Sequence, residues 1–307
     1  MYVNWILKKR RYPKPPLYPG ALPIVGHTLK LLGDNEYMCR LMYSVGDESN
    51  KNGGVLLIKV GWDDYYVWRK HRKLLNPAFS QHVINGFLPI FNDMSKMLVE
   101  NLRKEVGKEP FDHSLRFKAF MDLALALSDK GDLTEKEVWE EMNTIILAGY
   151  ETTGNTLMYT MLLLGSHANV QNKVFGDSDR DVEKQDLSKL VYLDAVIKET
   201  LRLYCITPVM LRTYTLPAGS NCLLFNCSIH RHQTWGADVE EFIPERWLDP
   251  AALIDPRAAI HAAFTGFGVG KRLCMGKNYA MMSMKTSLAH VLRHYWVSSD
   301  VTQLRLK

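Results

Sequence analysis

Residues 267–276 read Phe267-Gly268-Val269-Gly270-Lys271-Arg272-Leu273-Cys274-Met275-Gly276, and this stretch decides the fold. A cysteine stands just after a glycine-rich, basic turn and just before a helical pattern. Nearby cations and a helix N-terminus both lower a cysteine pKa, so the spacing predicts a thiolate at Cys274. Glycines at 268, 270 and 276 let the backbone approach a flat group closely. Arg272, two residues before the sulfur, is placed to pair with a carboxylate on that same group.

Phosphate readings of the stretch fail on its own residues. A phosphate loop needs Gly where Thr265 stands, and Ser or Thr where Arg272 stands. A dinucleotide fingerprint needs a third Gly where Lys271 or Leu273 falls. A lone cysteine is otherwise most often a small buried hydrophobe.

The stretch resembles the haem-binding loop of the cytochromes P450: Phe, two residues, Gly, one residue, Arg, one residue, Cys, one residue, Gly. Every one of those positions is matched here. The resemblance implies a non-covalent heme b (iron protoporphyrin IX) with Cys274 as axial thiolate, and with Phe267, Gly268 and Arg272 in its binding loop. Axial cysteine is a known haem ligand.

Four further motifs follow in the family's order. Trp68 and Arg72 are four apart, so on a helix they share a face. They resemble the family's Trp-x-x-x-Arg helix, whose side chains reach the haem propionates. A long helical pattern runs from about Thr134, with a Thr134/Glu137 capping box, to about Gly165. At its middle lies Ala148-Gly149-Tyr150-Glu151-Thr152-Thr153, where a glycine, an acid and two β-branched residues break local rules, as functional sites do. This centre resembles the family's oxygen groove. The resemblance implies that Thr152 holds oxygen or water near iron, that Glu151 relays protons, and that Ala148 and Gly149 line the ring. Some members carry a glutamate where Ala148 stands and link it to haem; Ala148 cannot form that link. Threonines that bond back to their own helix are the structural alternative.

A second helical stripe covers Leu187 to Tyr204 and carries Glu199 and Arg202 on one face. By resemblance these join Arg246 of Pro244-Glu245-Arg246 in a buried network. Between them, Pro208–Arg212 resembles the segment that lines the substrate pocket, with Arg212 reaching a propionate. Residues 222–226 read as a strand, 230–232 as a loop, 84–107 and 117–128 as helices, 54–60 as a buried strand, and 277–295 as an amphipathic helix. His290 and His294 have the spacing of a zinc helix, yet no carboxylate lies between them, and they read as ordinary helix residues.

Composition bounds the rest. The chain has 307 residues, 47% apolar and 23% charged, close to a globular average, with enough apolar content for a sizeable core. A net charge of +5 without a long basic block gives no case for a nucleic-acid partner, though it leaves room for a locally basic face. The five cysteines, Cys39, Cys205, Cys222, Cys227 and Cys274, show no CxxC pair, which argues against a disulfide framework or zinc site and for a reducing compartment. Trp5-Ile6-Leu7 followed by Lys8 to Arg11 reads either as the cytosolic end of a membrane anchor or as a frayed basic tail. Five prolines in residues 12–24 make a stiff connector.

The expected fold is mainly α with small β-sheets, an incomplete cytochrome P450 fold. Residues 1–24 are expected to be a basic anchor end and hinge, and 25–307 a haem-thiolate monooxygenase domain. Gaps relative to the family are expected near 62–67, 111–117, 174–175 and 213–216. The phrase around Trp68–Phe79 is most like insect microsomal members of the fatty-acid-hydroxylase clan. The resemblance implies a monomer that inserts one oxygen atom from O2 into an apolar small molecule. Electrons would come from NADPH–cytochrome P450 reductase, docked on a face with Lys70, Lys73, Lys271 and Lys277. The expected location is the cytosolic face of the endoplasmic reticulum membrane, at the membrane surface. The alternative is a non-catalytic remnant that still binds haem; an isomerase using peroxides on the same fold would not need Thr152.

Overall fold

In a computed structural model of the chain, the described residues are 44, 48, 51, 72–73, 75–104, 106, 135–174, 180–212, 222–248 and 263–300. The expected features at 12–24, 54–60, Trp68, Lys70, 117–128 and Thr134 lie outside them. Their fold is mainly α with one small sheet.

A short 3-10 turn, Asn76–Phe79, leads into α1, Gln81–Gly86, and α2, Leu88–Arg103. The sequence predicts one helix here; the structure breaks it at Phe87. Pro89 explains the restart, since its missing N–H costs nothing only in a first helical turn. In α2 the residues Leu88, Phe91, Ser95, Leu98 and Val99 are buried. This is the i, i+3, i+4, i+7 stripe of a helix with one core face.

That face lies along α8, Lys277–His294. Helix α8 is enclosed rather than amphipathic: every residue from Met282 to Leu292 is buried except Lys285. The seam is apolar at Ile84, Phe91 and Met282, where Tyr279 meets Phe91 edge-on at 4.9 Å. It is stitched by the Ser95 and Ser287 hydroxyls, 3.3 Å apart, and by the Tyr295 hydroxyl donating to the Val99 carbonyl at 2.9 Å.

Helix α3, Glu135–Ser166, has 32 residues and so spans about 48 Å. It is the element expected from Thr134 to Gly165. Its C-terminal half buries Thr156, Thr160, Leu163 and Leu164, while Trp139, Ile146 and Leu147 in its N-terminal half are exposed. Helices α4, Ala168–Val174, α5, Lys184–Lys189, and α6, Val191–Leu203, follow. The stripe expected from Leu187 to Tyr204 is therefore two helices, parted at Leu190. A capping box, Glu183 with Asp186, starts the first of them independently.

Two strands pair antiparallel: β1, Val209–Arg212, and β2, Cys222–Phe225, with Val209 opposite Phe225 and Arg212 opposite Cys222. The sequence expects a loop at 230–232. Instead His230 closes a short helix, α7, Asn226–His230. Its start is fixed from outside, because the Asn226 N–H donates to the Pro208 carbonyl and its side-chain amide to Thr207.

One main core joins Leu163, Leu164, Val196, Ile197, Leu201, Met284, Leu288 and Leu292. The segment after α8 returns to α4, where the Gln171 side chain donates to Val297 O (2.9 Å) and accepts from Val297 N (2.8 Å). Gly165 allows this crossing: a Cβ there would stand 2.7 Å from Ser299 Oγ and 2.8 Å from its backbone nitrogen. Among the described residues no helix is long and apolar enough to cross a membrane.

Candidate functional site

The cysteine loop is built from backbone hydrogen bonds. Gly268 N–H donates to Thr265 O (2.8 Å), Leu273 N–H to Gly270 O (3.0 Å), and Cys274 N–H to Phe267 O (2.7 Å). Gly268 (φ +79°) and Gly270 (φ +62°) sit in the left-handed region that favours glycine, which is why the sequence needs them there. A 3-10 turn, Gly270–Arg272, follows, and then Gly276 caps α8. The loop leaves Arg272, Leu273 and Cys274 exposed. A Cβ on Gly276 would touch Cys274 Sγ and the Phe79 ring, both at 3.8 Å. Phe267 packs against the main core, and the Lys277 ammonium lies 5.9 Å from its ring centroid.

Arg72 meets this loop from far away in sequence: its guanidinium donates to the Leu273 carbonyl at 2.6 Å. The Trp-x-x-x-Arg arginine and the cysteine loop are thus one site. Trp68 and the side chains of Arg212 and Lys271 lie outside the described residues.

Opposed influences act on the Cys274 thiol. The protein around the sulfur pushes the Cys274 thiol up, although backbone N–H groups of Gly276 and Lys277 and the charges of Arg72 and Lys277 all pull it down. Desolvation outweighs them. The predicted cations and helix start are present; their combined effect falls short of the burial penalty.

On α3, Ala148, Gly149, Glu151 and Thr152 are exposed and Thr153 is buried. Thr152 Oγ1 donates to Ala148 O at 2.5 Å, and the pattern repeats every turn, Thr156 to Thr152 O and Thr160 to Thr156 O, both 2.7 Å. The back-bonding alternative therefore holds for the geometry of Thr152. Among the described residues a Cβ at Gly149 or Gly154 would meet nothing within 4 Å.

Beneath the loop lies a buried ion network. Glu199 and Arg202 are fully buried and Arg246 nearly so. Arg202 grips Glu199 with two bonds, 2.9 and 2.8 Å, and Arg246 Nε donates to the same carboxylate at 3.3 Å. Trp247 Nε1 and the Ile243 N–H complete the carboxylate's shell at 2.9 and 3.1 Å. Asp238 pairs with Arg246 at 2.6 Å.

Sequence reasoning missed what couples this network to the cysteine loop. Arg202 donates to the His230 carbonyl (3.0 Å), and the His230 ring accepts the Thr265 N–H (3.0 Å), two residues before Phe267. The Thr265 hydroxyl donates to Asn226 Oδ1 at 2.8 Å. His230 is fully buried between Phe264 and Trp235, and burial beside Arg202 pushes its pKa down to about 3. Only the four-residue spacing of Asn226 and His230, two polar groups on one helix face, hinted at this brace.

The donor set fits a haem. Cys274 is exposed on a glycine-containing loop, with Arg72 bonded to the carbonyl of the residue before it, and haem iron takes a single axial ligand of this kind. Among the described residues no three His, Cys, Asp or Glu side chains gather into another metal shell.

The family comparison agrees. A model of the cytochrome P450 family matches residues 59–122 and 115–306. Cytochrome P450 4V2 of Rattus norvegicus is 31% identical over 293 residues, 87% of this chain and 53% of the relative. Cytochrome P450 4V2 of Homo sapiens is 35% identical over 201 residues, 60% of this chain and 38% of the relative. Cytochrome P450 4g15 of Drosophila melanogaster is 32% identical over 209 residues, 62% of this chain and 36% of the relative. The chain spans about half the length of the curated relatives it matches. With the cysteine loop, the Glu199–Arg202–Arg246 network and a match over more than half its length, the chain belongs to the cytochrome P450 family.

Proposed function

We propose that the chain is a haem-thiolate monooxygenase domain that inserts one oxygen atom from O2 into an apolar small molecule. The carrying observation is the exposed Cys274 thiol, on a loop whose neighbouring carbonyl is held by Arg72. Bound there, haem would supply the iron that activates dioxygen, with Cys274 as its electron-rich ligand.

The chain's own residues do the rest. Cys274 loses its proton on ligation, as coordinating thiols do, and the Gly276 and Lys277 N–H groups, with Arg72 and Lys277, stabilise the resulting charge. The loop's carbonyl-to-N–H bonds fix the sulfur's position while Gly268 and Gly270 keep the ring's approach clear. Arg72 and Arg272, with Trp68 and Arg212, would hold the haem carboxylates. In this reading Ala148 and Gly149 would keep the surface of α3 low beside the ring. The Thr152 hydroxyl, which donates its hydrogen bond to Ala148 O, would accept one from a water, and Glu151 would move a proton to that water from solvent.

The partner in this reading is NADPH–cytochrome P450 reductase. Its acidic face would meet Lys73 and Lys277, with Lys70 and Lys271. The cytosolic surface of the endoplasmic reticulum membrane is the corresponding location. A non-catalytic remnant that still binds haem is the second reading. It is favoured by the exposed Ile146 and Leu147 beside the groove.

A ferrous–CO difference spectrum of the purified chain, expressed with haem supply, tests the first reading. The expected result is a red-shifted Soret band that Cys274→Ala abolishes, followed by reductase-dependent oxidation of an apolar test substrate. A haem-free product overturns the reading. A red-shifted band without turnover selects the remnant.

A further inference from the structure

Two cysteines away from the haem loop lie on adjoining segments and share a thiol hydrogen bond. Cys205 follows the end of α6, one residue past its cap Tyr204, and Cys227 is the second residue of α7. They are 22 positions apart in sequence, with no motif linking them. Three bonds from outside the pair bring them together: Asn226 N–H to Pro208 O (2.9 Å), Asn226 side chain to Thr207 O (2.7 Å), and Arg231 to Leu203 O (2.7 Å). The strip at 203–208 is thereby laid against the first turn of α7. Both thiols are half-buried and unbridged, they share a thiol hydrogen bond, and Cys205 also reaches Thr207 O at 3.3 Å.

We propose that Cys205 and Cys227 form a peroxide-reactive dithiol, a modification site that a small hydroperoxide converts to an intramolecular disulfide.

The two sulfurs have different parts. The Cys205 hydrogen bond and the nearby Arg231 charge favour the thiolate at Cys227, whereas burial and the same shared bond keep the proton on Cys205. The thiolate is the nucleophile in such chemistry. Cys227 sulfur attacks one peroxide oxygen, the O–O bond breaks, and the released hydroxide or alkoxide takes a proton from solvent. Cys227 now carries a sulfenic acid. Cys205 sulfur attacks it, the S–S bond forms and the S–O bond breaks, and the departing oxygen leaves as water with the Cys205 proton. Two electrons pass from the sulfurs to the peroxide. A thiol reductant reverses the step by exchange. In a reducing compartment the pair rests as the dithiol.

The site also has a reach. Cys205 lies three residues after Arg202, and Cys227 three before His230, whose carbonyl Arg202 binds. A bridge would tie together the two elements that brace the cysteine loop.

The test uses the full chain, reduced and then treated with limited hydrogen peroxide. Free thiols are alkylated after denaturation and the peptides are read by mass spectrometry. The expected result is one species, a Cys205–Cys227 linked peptide pair two hydrogens lighter than its parts, restored by dithiothreitol. Cys39, Cys222 and Cys274 remain alkylatable. In Cys205→Ser, dimedone is expected to label Cys227; in Cys227→Ser, Cys205 stays unlabelled. The proposal is overturned if both thiols are still alkylated when other cysteines have oxidised, or if either is bridged to Cys222 instead. Dimedone on Cys205 but not Cys227 overturns the assignment of the attacking sulfur. Because the wild-type peptide map decides the pairing, a variant that fails to fold does not remove the test.

Discussion

Replacing Glu199 by glutamine removes one charge and nothing else of size. In the native protein the Glu199 carboxylate accepts five bonds, from Arg202 Nη2, Arg246 Nε and Ile243 N–H on one oxygen and from Arg202 Nε and Trp247 Nε1 on the other. An amide has one oxygen and one NH2. Whichever way it turns, its NH2 faces two or three donors, and those lose their acceptor. Arg246 keeps Asp238, which is about half exposed. Arg202, fully buried, keeps one bond to the amide oxygen and the carbonyls of His230, Val239 and Glu241, but loses its carboxylate partner. Breaking a buried pair by removing one partner costs about 3–5 kcal/mol. Set against a whole-protein stability of about 5–15 kcal/mol, this is a large fraction. At ~2.1 cal/mol/K per residue, 307 residues give an unfolding entropy of ~0.64 kcal/mol/K, so ~4 kcal/mol lowers the midpoint by ~6 °C. Thermal unfolding followed by circular dichroism, on wild type and Glu199→Gln at equal haem content, measures it. A fall of under ~2 °C, equivalent to about 1 kcal/mol, would refute the claim that this carboxylate holds two buried cations in place.

Further outcomes follow from other parts of the structure. Unfolded His230 takes up a proton below about 6.5, while the folded ring does so only near 3, so its contribution is complete above pH 6.5 and is lost as pH falls through that window. At pH 5 the loss is about 2 kcal/mol, and denaturant unfolding of His230→Gln should show that much less change between pH 7 and 5. An identical pH dependence in both proteins would count against a neutral, buried ring. Gly165→Ala puts a Cβ against Ser299 backbone, and should cost roughly 1–3 kcal/mol in urea unfolding; no change would mean that the tail does not cross there. Arg72→Ala should lower haem occupancy several-fold, read by haem-to-protein absorbance, with an effect on core stability of only about 1 kcal/mol because its bond to Leu273 is solvent-exposed. Unchanged occupancy would separate Arg72 from the haem site.

What was legible in the sequence was what local chemistry fixes. The loop glycines at 268 and 270 are required by backbone angle, and the long apolar periodicities of α3, α6 and α8 survive any context. The Glu199–Arg202 spacing also translated directly into a helix-face pair. Illegible were features set by distant partners. Helix α7 exists because Asn226 is held by Thr207 and Pro208 across the hairpin, and no propensity announces that. The breaks at Phe87 and Leu190 interrupt stripes that stay in phase across them, so periodicity alone joined what the backbone separates. At Cys274 the sequence showed the charges that lower a thiol pKa but not the protein mass that raises it, and the larger influence was the hidden one.

The seam between α2 and α8 also sets a schedule for the chain's birth. Ser95 and Ser287, which face each other across it, are 192 residues apart. At ribosomal speeds of roughly 5–20 residues per second, Phe91, Leu98 and Val99 emerge some ~10–40 s before their partners exist. Throughout that interval the apolar stripe of α2, with α1 beside it, lacks the α8 side chains that complete its cover. Its exposure is a matter of translation order rather than of final stability, so slowing or stalling synthesis after α2 lengthens the time in which nascent chains adhere to one another or must be held by a chaperone.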